Sequence, residues 1–422
     1  MRIVYHTLGC KVNQYDTNAM KAVLEQAGHE TVCDGSNADL ALINTCTVTN
    51  MADRKSRQLI HREQGKPICV CGCLAQRDSE AMLAIDGVEA VVGTKNRSLI
   101  ADIVGRIEAG ERKINAVGDI ASEHIFEPLS IADSDERTRA NLKICEGCNN
   151  YCSYCIIPYA RGPVRSREIS DIAEEAARVA EKGVKEVVVT GIHIGSYGVD
   201  LKDGGTLGDV ITALDKVEGI DRIRLGSIEP STVTEYFLEC CKRSEKLCPH
   251  FHLSLQSGCD TVLKRMNRKY TCAEYLDAVG RLRGAFESPS ITTDVIAGFP
   301  QETEEEHKTT LAFLRKIGFS RIHVFPYSDR AGTAASRMGD KVDGAVKKRR
   351  AAEIGVLAKE MEREYVGSFV GTTQKVLFEK PFDESRVIGH NERYIEIIAE
   401  GELNTITDVK IEGVTGGNKL FG

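Results

Sequence analysis

The sequence predicts an α/β protein in three parts: an N-terminal parallel α/β domain, a central partial barrel of six parallel strand-and-helix units, and a small C-terminal β-barrel. Three observations carry that prediction. Apolar strands alternate with amphipathic helices through residues 1–118 and again through 140–362, a rhythm that specifies parallel sheets. From Gly367 onward the strands become short and glycine-punctuated, as in small barrels. A chain of 422 residues also suits two or three domains rather than one.

Composition narrows the function classes. Hydrophobic residues make up 42% of the chain, enough to bury real cores. The net charge of −7, from 55 basic and 62 acidic residues, gives no bulk attraction for polyanions. Any nucleic-acid partner must therefore meet a local basic patch. Fifteen cysteines and a start, Met1 to His6, without an apolar signal core predict a reduced, cytoplasmic setting with thiols used for metal chemistry. No apolar run approaches the roughly 18 residues needed to cross a bilayer, so a soluble protein with no membrane partner is expected.

In the first domain, residues 2–10 read as a strand ending in Gly9-Cys10. A helix follows to Gly28, with Met20, Val23 and Leu24 on one face. Residues 40–46 form a second buried strand ending on Cys46, and 67–73 a third ending on Cys73. Ligands gather at the C-terminal ends of such strands, so Cys10, Cys46 and Cys73 converge on one edge as a three-thiolate site. Cys33, Cys69 and Cys71 read as small buried hydrophobes. Alternate residues of a strand share a face, which leaves Cys69, Cys71 and Cys73 as alternatives for the third thiol. Residues 119–139 are polar, with Asp133, Asp135 and Glu136 clustered, and read as a linker.

The centre of the chain carries Cys148-Asn149-Asn150-Tyr151-Cys152-Ser153-Tyr154-Cys155. A four-iron cluster ordinarily takes four thiolates, so three from one loop leave one iron open to a substrate. Cys145 also makes a C-x-x-C with Cys148, which keeps a zinc knuckle as the alternative. Strands follow near residues 186–191, 222–227, 250–256, 290–296 and 320–325. With one strand leading into the cysteine loop they number six, and their reactive groups belong at strand C-termini. Those ends hold Gly191, where backbone passes close to a ligand, and Glu229 and Gln256, suited to ribose and amino-acid groups. Asp294 reads equally as a ligand contact or a cap.

The cysteine loop, Tyr154 and the continuation Ile156-Ile157-Pro158-Tyr159-Ala160-Arg161-Gly162-Pro163 resemble the radical S-adenosylmethionine (SAM) superfamily. The resemblance implies a cluster on Cys148, Cys152 and Cys155 whose open iron chelates SAM and cleaves it to methionine and a 5′-deoxyadenosyl radical. It also implies SAM contacts from Tyr154, Gly191, Glu229, Gln256, Asp294 and Ile296, the last on a strand that resembles the one packing the adenine. Thr7-Leu8-Gly9-Cys10-Lys11-Val12-Asn13-Gln14, Asn44-Thr45-Cys46-Thr47-Val48-Thr49 and Gly72-Cys73-Leu74-Ala75-Gln76 look like the N-terminal domain of the methylthiotransferases. That implies an auxiliary four-iron cluster on Cys10, Cys46 and Cys73, hence two 4Fe-4S clusters and two SAM per turnover.

The C-terminal segment resembles the TRAM domain, an RNA-binding barrel. It carries six basic and nine acidic residues, so RNA contact is expected to be shared with Arg161, Arg165 and Arg167 and with Lys347-Lys348-Arg349-Arg350. Charge runs of that kind are more often solvated helix faces. His323-Val324-Phe325-Pro326-Tyr327-Ser328 is similar to the subfamily acting on N6-threonylcarbamoyladenosine beside the anticodon of tRNA. That implies a tRNA anticodon stem-loop as partner, conversion of t6A to ms2t6A, a pocket cation for the threonyl carboxylate, an external reductant such as flavodoxin or ferredoxin, and a monomer. The alternatives are isopentenyladenosine in tRNA or a ribosomal-protein aspartate as substrate. A non-catalytic iron–sulfur RNA-binding or electron-transfer protein is the reading from another class.

Overall fold

The computed structural model describes residues 1–131 and 138–422. The acidic cluster expected at Asp133, Asp135 and Glu136 lies outside the described residues.

The N-terminal domain is a six-stranded parallel sheet: β1 (Arg2–Thr7), β2 (Glu30–Thr31), β3 (Leu40–Thr45), β4 (Ile68–Gly72), β5 (Val88–Val92) and β6 (Ile114–Ala116), in the order β2-β1-β3-β4-β5-β6. Helices cover both faces, so β3 and β4 are unbroken buried runs. Ile3, Leu42, Cys69, Cys71 and Val92 pack toward the helices Lys11–Gln26 and Ile100–Glu108. Val4, Ile43, Val70 and Val91 pack on the other face with Ile60 and Leu74.

The central domain contains the six parallel strands expected: β7 (Arg139–Glu146), β9 (Glu186–Gly191), a strand broken at Gly226 into β10 (Arg222–Leu225) and β11 (Ser227–Ile228), β12 (His250–Leu253), β13 (Ser290–Ala297) and β14 (Arg321–Pro326). The short β8 (Arg165–Ser166), which the sequence reading missed, adds antiparallel to β7. β10 pairs with β9, whereas β11 pairs with β12. That switch of partner turns the ladder from a flat sheet toward an open barrel. Phe251, Leu253, Ile291 and Val295 point outward to the helices.

The last domain strings β15 (Thr373–Pro381), β16 (Val387–Asn391), β17 (Glu396–Ala399), β18 (Ile406–Lys410), β19 (Gly413–Val414) and β20 (Leu420–Phe421) in the order β18-β15-β16-β17-β20-β19. Because β19 follows directly from β18, the two ends of that order meet and the sheet curls. It docks on the N-terminal rim of the central strands. Arg222 donates to His390 O and Lys375 O at 2.9 Å, and Arg224 to Glu392 O at 2.9 Å. The Tyr394 ring lies under Arg224, 4.7 Å from its guanidinium carbon.

The described part of the expected linker is not a loose polar strap. Ile120, Leu129 and Ile131 are buried. Ile131 N donates to Glu175 at 2.6 Å and Tyr15 OH to Leu129 O at 2.9 Å. This stitches the first domain to the second.

Candidate active site

The loop after β7 is fixed by backbone before any metal is considered. Gly147 takes φ +72°, and a Cβ there would stand 1.8 Å from Pro163 O, so only glycine lets the two passes of chain meet. Cys148 N then donates to Gly162 O at 3.0 Å, and Ser153 N to Met266 O at 2.9 Å. Cys155 N closes a turn on Cys152 O at 2.9 Å. The three thiols face one another closely enough for Cys148 and Cys152 each to raise the Cys155 thiol. Burial first, then those neighbours, push Cys155 to about 12 and Cys148 to about 11, so a metal must ionise them on binding.

A side chain absent from the sequence reading dominates this loop. Arg268 donates from Nη1 to Cys152 Sγ at 3.2 Å and lies 3.5 Å from Tyr154 OH. Its Nη2 sits 2.7 Å from Glu229 Oε1 as an ion pair without hydrogen-bond alignment. Glu229 in turn accepts from Asn150 Nδ2 at 3.1 Å and lies 3.4 Å from His193 Nε2. Burial opposes ionisation of Glu229, but His193, Arg268 and Asn150 hold its carboxyl below the ordinary range.

The remaining strand-end residues divide. Gln256 has φ +69°, a strained conformation of the kind that collects at functional sites. Its amide donates to Asp294 O and its carbonyl accepts from Ile296 N, both at 2.9 Å. Ile296 borders the apolar cluster of Phe299, Tyr327 and Met266 that Tyr154 also joins. The Asp294 carboxylate lies 3.3 Å from His252 Nε2 and caps no helix. His252 and His323 stand 6.0 Å apart, ring to ring, and neither was singled out as a site residue. Gly191 has its own structural reason, since a Cβ would meet Cys145 Sγ at 2.6 Å. Cys145 is wholly buried in the barrel core, where burial raises its thiol to about 12.

The N-terminal cysteines also come together. Cys10 caps the helix Lys11–Gln26, Cys46 follows β3 and Cys73 opens the helix Cys73–Arg77. Gly9 takes φ +109°, and a Cβ there would stand 3.0 Å from Cys46 Sγ. Gly72, with φ +92° and ψ −161°, turns Cys73 out of the strand register. Cys69 and Cys71 therefore stay in the core while Cys73 joins Cys10 and Cys46, both of which raise its thiol. Burial, the larger cause, brings Cys73 to about 11.

Arg161 reaches from the segment after the central triplet to the first one. It stands on the helix Ile157–Arg161, just beyond Cys155, and donates from Nε to Cys73 Sγ at 3.2 Å. Its Nη1 bonds Asp16 at 2.9 Å and Glu146 at 2.7 Å, and its Nη2 bonds Asn13. In the same buried network, four cations (Arg97, Lys143, Arg161 and Arg165) face three carboxylates (Asp16, Glu127 and Glu146).

These surroundings suit anionic sulfur. Each triplet has a buried guanidinium on one thiol, and backbone amides at Val48, Asn150 and Ile157 donate to Cys46, Cys148 and Cys155. Donors of that kind tune iron–sulfur clusters. Among the described residues no group of three or more His, Cys, Asp or Glu is placed to hold a single metal ion. A cubane spreads its ligands over separate irons, more widely than one ion does.

The expected RNA contacts need correction. Arg161, Arg165, Arg167 and Arg350 are buried. Arg167 pairs with Glu175 and Arg350 with Glu302. Arg349 is held by Glu304 and Glu353, and Lys347 lies over the Tyr327 ring. Four of the seven side chains thus present no face to a polyanion, and on the helix Gly344–Gly367 Arg349 and Arg350 are paired with carboxylates while Lys348 stays exposed.

Comparison with known proteins agrees with this architecture. The family described as "Uncharacterized protein family UPF0004" matches residues 2–93, and the radical SAM superfamily matches residues 142–314. The threonylcarbamoyladenosine tRNA methylthiotransferase MtaB of Bacillus subtilis is 41% identical, the alignment covering 97% of this chain and 93% of that one. The tRNA-2-methylthio-N(6)-dimethylallyladenosine synthase of Pelotomaculum thermopropionicum is 33% identical over 97% and 94%. Among solved structures, the radical SAM methyltransferase TsrM from Kitasatospora setae shares the fold, with a TM-score of 0.57 at 15% identity over 78% of this chain and 74% of that one.

Proposed function

The chain belongs to the radical SAM methylthiotransferase family, and on that premise we propose that it adds a methylthio group to C2 of N6-threonylcarbamoyladenosine next to the anticodon of tRNA. The family brings a 4Fe-4S cluster and SAM. We assign that cluster to Cys148, Cys152 and Cys155, and a second to Cys10, Cys46 and Cys73. The observation that supports a second cluster is the convergence of Cys10, Cys46 and Cys73, with the buried Arg161 guanidinium donating to Cys73 Sγ from the helix that follows the central cysteine loop. When bound, the first cluster with SAM supplies a hydrogen abstractor and the second holds the sulfur to be methylated and inserted.

The chain's own residues divide that work. Arg268 orients Cys152 and Glu229 together. Tyr154 and Ile296, partly exposed over the buried Phe299, offer an apolar wall for the purine of SAM, while Glu229 and the strained Gln256 backbone offer polar partners for its ribose and amino acid. The greater identity to the threonylcarbamoyladenosine enzyme supports that base over the isopentenyl one. The domain reading is 1–118 for sulfur, 140–362 for radical chemistry and 367–422 for RNA. Among the described residues no helix is long and apolar enough to cross a membrane. A cytoplasmic monomer reduced by flavodoxin or ferredoxin completes the reading.

Anaerobic reconstitution tests it. About eight irons per chain are expected, four per cluster. Cys152→Ala abolishes SAM cleavage, whereas Cys46→Ala retains it and stops sulfur insertion. Nucleoside analysis of tRNA from a deletion strain lacks ms2t6A alone; loss of the isopentenyl product instead overturns the substrate.

A further inference from the structure

We propose that Tyr151 and Tyr159 form a stacking platform for the unpaired bases flanking the target adenosine. The proposal rests on the tRNA reading above and adds the contact by which a loop rather than a duplex is held. Both rings stand on the segment that carries the three central cysteines, Tyr151 between the first two and Tyr159 on the helix Ile157–Arg161. Their centroids are 5.9 Å apart at 79°, an edge-to-face pair. They remain 53% and 54% exposed. Two large rings held together in solvent beside a reaction centre mark a surface waiting for a flat partner.

The loop presents these rings on a braced backbone. Tyr151 adopts φ +47°, rare for a bulky residue, and Asn267 Nδ2 donates to its carbonyl at 2.9 Å. Ser153, two residues on, is tied to Arg265 O through its hydroxyl at 2.8 Å. The strained residue is thus pinned with its ring outward.

Charge complementarity identifies the occupant. Lys264 and Lys269 are exposed on either side of Asn267, and Lys269 Nζ bonds Asn267 Oδ1 at 2.9 Å. Flat apolar faces set among cations match a single-stranded nucleic acid, with bases on the rings and phosphates on the lysines. An enzyme that works on one base of a loop must unstack it, and aromatic rings replace the lost stacking.

The test uses the reconstituted holoprotein and an anticodon stem-loop RNA carrying 2-aminopurine beside the target position. Binding to the wild type is expected to change the 2-aminopurine emission. Tyr159→Ala weakens binding roughly tenfold or more and removes the emission change, whereas Tyr159→Phe keeps both because stacking needs the ring and not the hydroxyl. Tyr159 lies outside the cysteine spacing, and iron content is measured for each variant to separate stacking from cluster loss. An iron-replete Tyr159→Ala protein that binds as tightly as wild type with the same emission overturns the platform alone. A wild-type protein that neither binds nor modifies the stem-loop overturns the tRNA reading and the platform with it.

Discussion

Arg161 Nε donates to Cys73 Sγ across 3.2 Å, so the helix beyond the central cysteine loop ends on a sulfur of the neighbouring domain. The same guanidinium compensates Asp16 and Glu146, both buried. One side chain therefore links the segment beyond the central cysteines to a thiol of the first triplet and shares, with Arg97 and Lys143, the buried carboxylates between the domains.

Removing that cation takes one partner from each of Asp16 and Glu146, which keep Arg97 and Lys143, so the cost is that of a lost hydrogen bond to a charged group, about 1.5–3 kcal/mol, rather than that of a stranded charge. Arg161→Leu is expected to lower the urea unfolding free energy of the holoprotein by that amount and to cut bound iron toward half. Arg161→Lys restores charge but not the fork that reaches Cys73, Asp16, Glu146 and Asn13 at once, so it recovers stability only in part. A leucine variant with wild-type stability and iron content would remove the bridge from the account.

Gly72 makes a second prediction. A Cβ there would stand 2.2 Å from Asn44 Oδ1 and 2.6 Å from Thr45 O, on a backbone at φ +92°. Gly72→Ala must push β4 away from β3 or return Cys73 to the strand register. Either movement takes Cys73 from Cys10 and Cys46. Iron is expected to fall to about four per chain with SAM cleavage retained, as judged by iron assay and release of 5′-deoxyadenosine.

The two cases show where sequence reasoning reached and where it stopped. Alternation of apolar strands and helices was enough for the sheet order's general form and for six central strands, because periodicity is local. The third thiol of the first triplet stayed open among Cys69, Cys71 and Cys73, because strand alternation puts all three on one face; the left-handed Gly72 that separates them is a backbone fact. Arg268 escaped notice because Met266-Asn267-Arg268-Lys269-Tyr270 reads as a solvated basic run. Its burial depends on Glu229 and Tyr154, distant in sequence. Arg165 and Arg167 were misread for the same reason, since the carboxylates of Glu146 and Glu175 that absorb them are tertiary neighbours.

Arg268 carries a prediction with an electrochemical readout. A cation donating to Cys152 Sγ stabilises the more negative, reduced cluster. Arg268→Gln keeps a donor of similar reach and removes the charge. The reduction potential of the central cluster is expected to fall by about 60 mV or more, the tenfold equilibrium shift of a one-electron couple, in an anaerobic redox titration followed by electron paramagnetic resonance. The auxiliary cluster, on the far side of Arg161, keeps its potential in the same titration. Equal shifts in both clusters, or none in either, would detach Arg268 from this role.

Acid stability follows from groups away from the cysteines and proceeds in two stages. His250 is buried beside Arg224, with the Tyr394 ring 5.4 Å away. Burial first, then Arg224, hold its imidazole neutral well below the ordinary range. Burial shifts His6 and His323 the same way. The unfolded chain protonates these residues near pH 6.5 while the folded chain does not, so the unfolded state binds more protons and stability falls as pH drops below about 6.5. Glu186 comes next. Although burial opposes its ionisation, Arg224 and Arg139 hold its carboxyl far below the usual value. Its stabilisation is complete above the ordinary carboxylate range near 4 and is lost as pH falls from there through the lower folded value. Glu302 runs against both, since burial raises its carboxyl despite Arg350 and the folded form takes that proton first. Urea midpoints are expected to hold from pH 8 to 7, decline between 6.5 and 5, and fall again below about 4. Replacing His250 by Phe, which keeps the ring under Tyr394 and cannot titrate, flattens the first decline; a midpoint already constant down to pH 5 in the wild type would show that the buried histidines do not govern it.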